Sequence, residues 1–82
     1  MDLDDDFNYA VERSRLLDKQ PNNVLLDLYA LYKQASAGDV SGSRPGMTKM
    51  RDRAKYDAWA GRKGMAQDEA KKAYIALVDS LE

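Results

Sequence analysis

The 82-residue chain contains no cysteine and no histidine. The first absence excludes disulfides and thiolate metal sites, and it suits a reducing compartment. The second removes the commonest general base and the commonest metal ligand, and with them a catalytic triad of the usual kind. There are two prolines, one tryptophan and one phenylalanine, and no apolar run approaches the length of a membrane span. Neither an internal repeat nor a low-complexity tail is present. The opening residues Met1-Asp2-Leu3-Asp4-Asp5-Asp6 are acidic, the opposite of a secretory signal's basic start. The expectation is one soluble cytoplasmic domain, residues 1–82, with a small core and no stable membrane insertion.

What is present is charge, unevenly placed. Thirteen basic and 14 acidic residues leave the chain at −1. Between Arg44 and Lys63, however, seven basic residues (Arg44, Lys49, Arg51, Arg53, Lys55, Arg62, Lys63) face two acidic ones, so that segment carries +5 and the remainder −6. A local positive field on a net acidic chain suits a small polyanion better than a long duplex. A helical nucleic-acid-binding module is a competing reading, but no recognition motif accompanies the basic segment. A hydrolase is another. Ser14, Ser36, Ser41, Ser43 and Ser80 are available hydroxyls, with no histidine to activate any of them and no paired-carboxylate signature.

Periodicity predicts four helices and no strand, hence an all-α bundle. Residues 4–18 form the first, with Phe7, Ala10, Val11 and Leu17 on one stripe and Asp4, Asp5 and Asp6 at the dipole's positive end. Gln20 to Asn23 is a turn, with Asn22 or Asn23 as the next cap. The second helix runs to about Ala37, on a stripe of Leu25, Leu28, Tyr29 and Tyr32. Leu26 and Leu31 lie off that line, which places the helix between neighbours. Gly38 to Lys49 is a loop of about a dozen residues, long for adjacent helices in a compact bundle; either it crosses the bundle or it is functional, and a crossover would let helices two and three run in the same direction. Met50 to Lys63 is the third helix, closed by Gly61 or Gly64. Gln67 to Leu81 is the fourth, with Ala70, Ala73, Tyr74, Leu77, Val78 and Leu81 on one face.

Within the second helix Tyr29, Tyr32 and Lys33 stand at i, i+3 and i+4. Two phenol rings beside an ammonium suit a ligand partly apolar and partly anionic; equally, the rings are core and the lysine a solvated rim. Arg51 and Lys55 are i and i+4 on the third helix, with Trp59 one turn on, and read either as a phosphate grip or as a solvated basic face. Arg15 flanks the first helix's stripe or is simply solvated. Tyr74 is the one hydroxyl on the fourth helix's apolar face.

Taken together the pieces resemble one family. They are Phe7 with Ala10; Pro21; Leu28-Tyr29-Ala30-Leu31-Tyr32-Lys33-Gln34-Ala35-Ser36 closing at Gly38-Asp39; Arg44-Pro45-Gly46-Met47; Ala54-Lys55-Tyr56-Asp57-Ala58-Trp59; Gly64; and Ala70-Lys71-Lys72-Ala73-Tyr74-Ile75 with Val78. At these spacings the chain resembles the acyl-CoA-binding protein family, also known as diazepam-binding inhibitor. The resemblance implies a four-helix bundle with a crossover loop between helices two and three, and no enzyme activity. It implies non-covalent binding, buffering and intracellular transport of medium- to long-chain fatty acyl-CoA, with no cofactor and no metal. It further implies a monomer without a nucleic-acid partner, in transient contact with acyl-CoA-using enzymes. Carried over by position, it implies ligand contacts at Arg15, Tyr29, Ala30, Leu31, Tyr32, Lys33, Arg51, Lys55 and Tyr74, with Lys55 on the ribose 3′-phosphate. Arg15 and Arg51 stand where the family often has lysine, and Tyr56 where it usually has tryptophan. Apolar residues of helices one and two would cover the tail.

Overall fold

Asp2 opens the first helix: its carboxylate accepts the Asp5 N–H at 2.8 Å, and Asp4, Asp5 and Asp6 occupy the first turn, where the helix dipole favours negative charge. The computed structural model describes residues 2–82, and Met1, the first residue of the expected domain, lies outside the described part. Four helices follow: α1 (Leu3–Ser14), α2 (Asn22–Ala37), α3 (Met50–Ala60) and α4 (Gln67–Leu81). Among the described residues there is no strand. The all-α bundle expected from periodicity is therefore the fold.

Three boundaries differ from the sequence reading. α1 stops at Ser14 rather than residue 18, because its end tightens: Arg15, Leu16 and Leu17 bond three residues back, to Glu12, Arg13 and Ser14. Such bonds close a helix rather than extend it. α2 starts at Asn22, so neither asparagine caps it; Pro21 holds the extended cap position and its carbonyl accepts Val24 and Leu25 N–H groups at 3.0 and 3.1 Å. α3 stops at Ala60, three residues short, in a turn where Arg62 and Lys63 bond back to Trp59 and Ala60. Gly64, at φ +91°, completes that reversal in a backbone region open to glycine.

Side-chain pairings give the helix directions. Tyr29 meets Lys55 and Lys33 meets Trp59, in rising order on both helices. α2 and α3 are therefore parallel, and the 38–49 loop is the expected crossover. Lys71 reaches Asp4 near the starts of α4 and α1, while Arg13 reaches Asp79 and Glu82 near their ends, so that pair is parallel too. Gln34, late in α2, donates to the Met65 carbonyl just before α4 at 2.8 Å, which sets α2 and α4 antiparallel. α4 packs on α1 and α2, and α3 packs on α2 alone.

The core is Phe7, Ala10, Leu28, Leu31, Ala35, Ala70, Tyr74 and Val78. Ala10 and Ala70 are fully buried, and their small size lets α1 and α4 approach closely. Leu25 and Tyr32, assigned to the apolar stripe of α2, do not join this core; they are 49% and 40% exposed. The buried stripe runs instead through Leu28, Leu31 and Ala35. Leu17, the last member of the α1 stripe, is half-buried beyond the helix end.

The crossover is tied down along its length. Trp59 Nε1 donates to the Gly38 carbonyl at 2.8 Å, and Tyr56 donates to the Gly42 carbonyl at 3.0 Å. Arg44 grips Asp57 with two bonds, Nε to Oδ1 at 2.8 Å and Nη2 to Oδ2 at 2.6 Å. Asp39 accepts the Gly64 N–H at 2.9 Å and Gln34 Nε2 at 2.8 Å. The Gly64 bond, with Gln34 and the nearby Lys63 charge, holds the Asp39 carboxyl below its ordinary range; Arg44 does the same for Asp57. A carboxyl depressed in the folded state stabilises fully above its unfolded pKa, and that contribution disappears as pH falls through the folded value. Melting temperature should therefore be flat above about pH 5 and drop below about pH 4. Asp39→Asn should show a lower plateau and a shallower acid drop in a melting series from pH 7 to pH 2.

Candidate functional site

Along α2, Asn22, Leu25, Leu26, Tyr29 and Lys33 recur at three- and four-residue steps and so face α3. Along α3, Met50, Arg51, Ala54, Lys55 and Trp59 do the same toward α2. Ala54 is small where the two helices would otherwise close, and a cleft remains between their N-terminal halves. Its volume is about 480 Å³, lined by Asn22, Leu25, Leu26, Met50, Arg51, Ala54 and Lys55. A second cleft, about 300 Å³, is lined by Tyr29, Pro45, Asp52, Lys55, Tyr56 and Trp59. Lys55 belongs to both. The first is a leucine- and alanine-walled trough with cations at its edge; the second is an aromatic cup under the crossover loop.

Lys33 and Lys55 are held by rings rather than by carboxylates. Lys55 Nζ lies 5.4 Å from the Tyr29 ring centroid, and Lys33 Nζ lies 4.8 Å from that of Trp59. Among the described residues, Lys33, Arg51 and Lys55 form no ion pair. Asp52 is the one carboxylate lining either cleft. Two cations over aromatic rings and a third, Arg51, at the edge of the trough are free of ion pairs and available to an anionic ligand.

A second aromatic group stands on the other flank of α2. Phe7 stacks on Tyr32 at 6.1 Å and meets Tyr74 edge-on at 5.2 Å. Tyr74 is 4% exposed, and its hydroxyl donates to Ser14 Oγ at 2.9 Å, which in turn donates to the Val11 carbonyl at 2.6 Å. That chain satisfies the buried phenol and braces the exposed Tyr32 ring from below.

The structure thus brings together Tyr29, Lys33, Arg51 and Lys55 of the sequence-predicted residues. Tyr32 lies one turn along α2 from Tyr29, on the α1–α4 flank. Tyr74 lies beneath Tyr32 with its hydroxyl engaged. Ala30 and Leu31 are buried, because residues next to Tyr29 on a helix point away from it. Arg15 caps the end of α1, exposed and 3.4 Å from Glu12, and lines neither cleft.

Sequence reasoning passed over Leu25, Leu26, Met50 and Ala54 as cleft walls, and Tyr56 and Pro45 as cup walls. It assigned cover for an apolar tail to α1 and α2. The open apolar cleft lies between α2 and α3, because Phe7 and Ala10 of α1 are already committed to the core. The available signal was the surplus of leucine on α2, more than one packing face needs.

Comparison with known proteins is consistent along the whole chain. Residues 4–78 match the family described as "Acyl CoA binding protein". An acyl-CoA-binding protein homolog of Manduca sexta is 47% identical, over 99% of this chain and 92% of that protein. An acyl-CoA-binding protein of Saccharomyces cerevisiae is 50% identical, over 83% of this chain and 78% of that one. The crystal structure of Oryza sativa Acyl-CoA-Binding Protein 2 superposes with a TM-score of 0.94 at 40% identity, covering 98% of this chain and 90% of the other.

Proposed function

The chain belongs to the acyl-CoA-binding protein family, and we propose that it binds medium- to long-chain fatty acyl-CoA thioesters without covalent chemistry, buffering and carrying them between sites of synthesis and use. One observation supports this above the others: an apolar trough and an aromatic, cationic cup meet at Lys55. An acyl-CoA has an oily tail and a phosphorylated nucleotide head, and such a pair of adjoining clefts matches both ends at once.

In this reading the tail lies along Leu25, Leu26 and Ala54. Lys55, at the junction, meets the ribose 3′-phosphate, with Arg51 and Lys33 answering the remaining phosphate charge. Tyr29 and Tyr32 border the adenine, offering ring faces with polar tips. Ala30, Leu31 and Tyr74 act from below, fixing the rotation of α2 so that Tyr29, Tyr32 and Lys33 emerge on the ligand side. Arg15, outside both clefts at the end of α1, is brought to the head group in this reading by the family resemblance alone. The arginine forks at positions 15 and 51 hold phosphate oxygens in pairs, where a lysine would supply a point charge.

The protein is a binding protein rather than an enzyme, needs no cofactor, and works as a cytoplasmic monomer formed by the 1–82 domain, meeting acyl-CoA-using enzymes transiently. Among the described residues no helix is long and apolar enough to cross a membrane. Isothermal titration tests the reading. Palmitoyl-CoA should bind at nanomolar concentration, free CoA far more weakly, and free palmitate hardly at all. Free CoA should not accumulate over hours of incubation. Indifference to palmitoyl-CoA at micromolar concentration would sink the proposal, and steady CoA release would convert it into a thioesterase.

A further inference from the structure

Met47 and Met50 are 74% and 76% exposed. They sit together, lining a shallow depression with Arg53, Ala54 and Asp57. Met50 and Ala54 also line the apolar trough between α2 and α3, whose other wall carries the half-exposed Leu25. Met50 and Ala54 thus join the surface depression at Met47 to the trough through shared apolar walls. Single exposed apolar residues are ordinary, but a contiguous group opening into a cleft marks an interaction surface.

The surround of this path is positive. Residues 44–55 carry Arg44, Lys49, Arg51, Arg53 and Lys55 against the single acid Asp52. Arg44 is committed to Asp57. Among the described residues Lys49, Arg51 and Arg53 form no ion pair. Flexible unbranched apolar side chains beside cations that form no ion pair complement an anionic lipid surface, with the thioethers entering the headgroup boundary and the cations meeting phosphate and carboxylate groups.

We propose that this corner of the molecule, centred on Met47 and Met50, docks on anionic bilayers and acts as the portal through which an acyl chain passes from membrane to cleft. The portal role rests on the acyl-CoA reading of the trough; docking does not. In the docked pose the trough mouth faces the lipid, so a tail leaves the bilayer without crossing water.

The test uses the whole chain and a double variant, Met47→Gln/Lys49→Gln, whose two positions lie outside the residues lining either ligand cleft. Flotation of the ligand-free protein with vesicles of phosphatidylcholine containing phosphatidylserine reads docking alone. The wild type should float with these vesicles at low salt and not with pure phosphatidylcholine. The variant should lose about tenfold in partitioning, since each cation near such a surface contributes about fivefold. Stopped-flow transfer of a fluorescent acyl-CoA from the anionic vesicles should slow to a similar degree, while palmitoyl-CoA affinity in vesicle-free buffer stays within about twofold. Equal flotation of wild type and variant, or flotation indifferent to vesicle charge, would overturn docking and leave the patch to an acidic protein. Loss of flotation with undiminished transfer would overturn the portal. A wild type that floats but binds no palmitoyl-CoA in vesicle-free buffer would overturn the carrier reading and the portal with it, and leave docking intact.

Discussion

Palmitoyl-CoA should bind about two orders of magnitude more tightly than octanoyl-CoA. The two tails differ by roughly eight methylenes, each worth about 0.8 kcal/mol when fully buried, an upper bound of about 6 kcal/mol. The trough between α2 and α3 is open along one side, and a tail lying in it keeps part of its surface in water. Halving the bound gives about 3 kcal/mol, or about a hundredfold. The dependence should belong to the trough walls. Leu25→Asn places an amide where the tail would lie, at a position already 49% exposed, so the fold should tolerate it. In that variant the gain per methylene should shrink along the whole series, with octanoyl-CoA least affected. Calorimetry of wild type and variant with acyl chains of increasing length makes the measurement. A flat wild-type series would mean that the tail is not covered, and an unchanged slope in the variant would place it elsewhere.

Lys55→Ala should weaken palmitoyl-CoA by about tenfold to a hundredfold, and a dephospho-CoA ester lacking the 3′-phosphate by no more than about threefold. A hydrogen bond to a charged partner contributes about 1.5–3 kcal/mol. Lys55 offers such a bond and, among the described residues, forms no ion pair that would compete with it. Its Nζ rests above the Tyr29 ring, so the ammonium is held near its working position before the ligand arrives, and less ordering opposes binding. The side chain is exposed, and its removal should leave the melting temperature within about a degree or two. Raising salt should reduce the wild-type affinity for palmitoyl-CoA and compress the difference between the two ligands, because the contact is reached by solvent. Equal losses for both esters would move the 3′-phosphate away from Lys55.

Part of this architecture was legible in residue order alone. Fourteen acidic and 13 basic residues without histidine or cysteine already argued against the usual triad and thiolate chemistry. The α4 face of Ala70, Tyr74 and Val78 was readable because a helix packed on two neighbours must repeat its apolar residues at the helical period, and those three residues are buried. The loop from Gly38 to Lys49 was too long for adjacent antiparallel helices, which left a crossover or a functional loop open; the pairings of Tyr29 with Lys55 and of Lys33 with Trp59 decided for the parallel run of α2 and α3. Helix ends were less legible. The end of α1 depends on which carbonyl each of Arg15, Leu16 and Leu17 reaches, a choice worth fractions of a kcal/mol that packing decides.

What folding alone decided is the division of labour on α2. Leu25, Leu28, Tyr29 and Tyr32 occupy one stripe by arithmetic, yet Leu28 enters the core, Leu25 walls the trough, Tyr29 turns toward α3 and Tyr32 toward Phe7. Periodicity states which residues share a side of a helix; it does not state which neighbour meets them or leaves them bare. The trough exists because α3 touches α2 alone and because Ala54 is too small to close the seam between them. The kinds of residue and their spacing were written in the chain, while the vacancy between two helices is a property of their separation, which no single residue encodes.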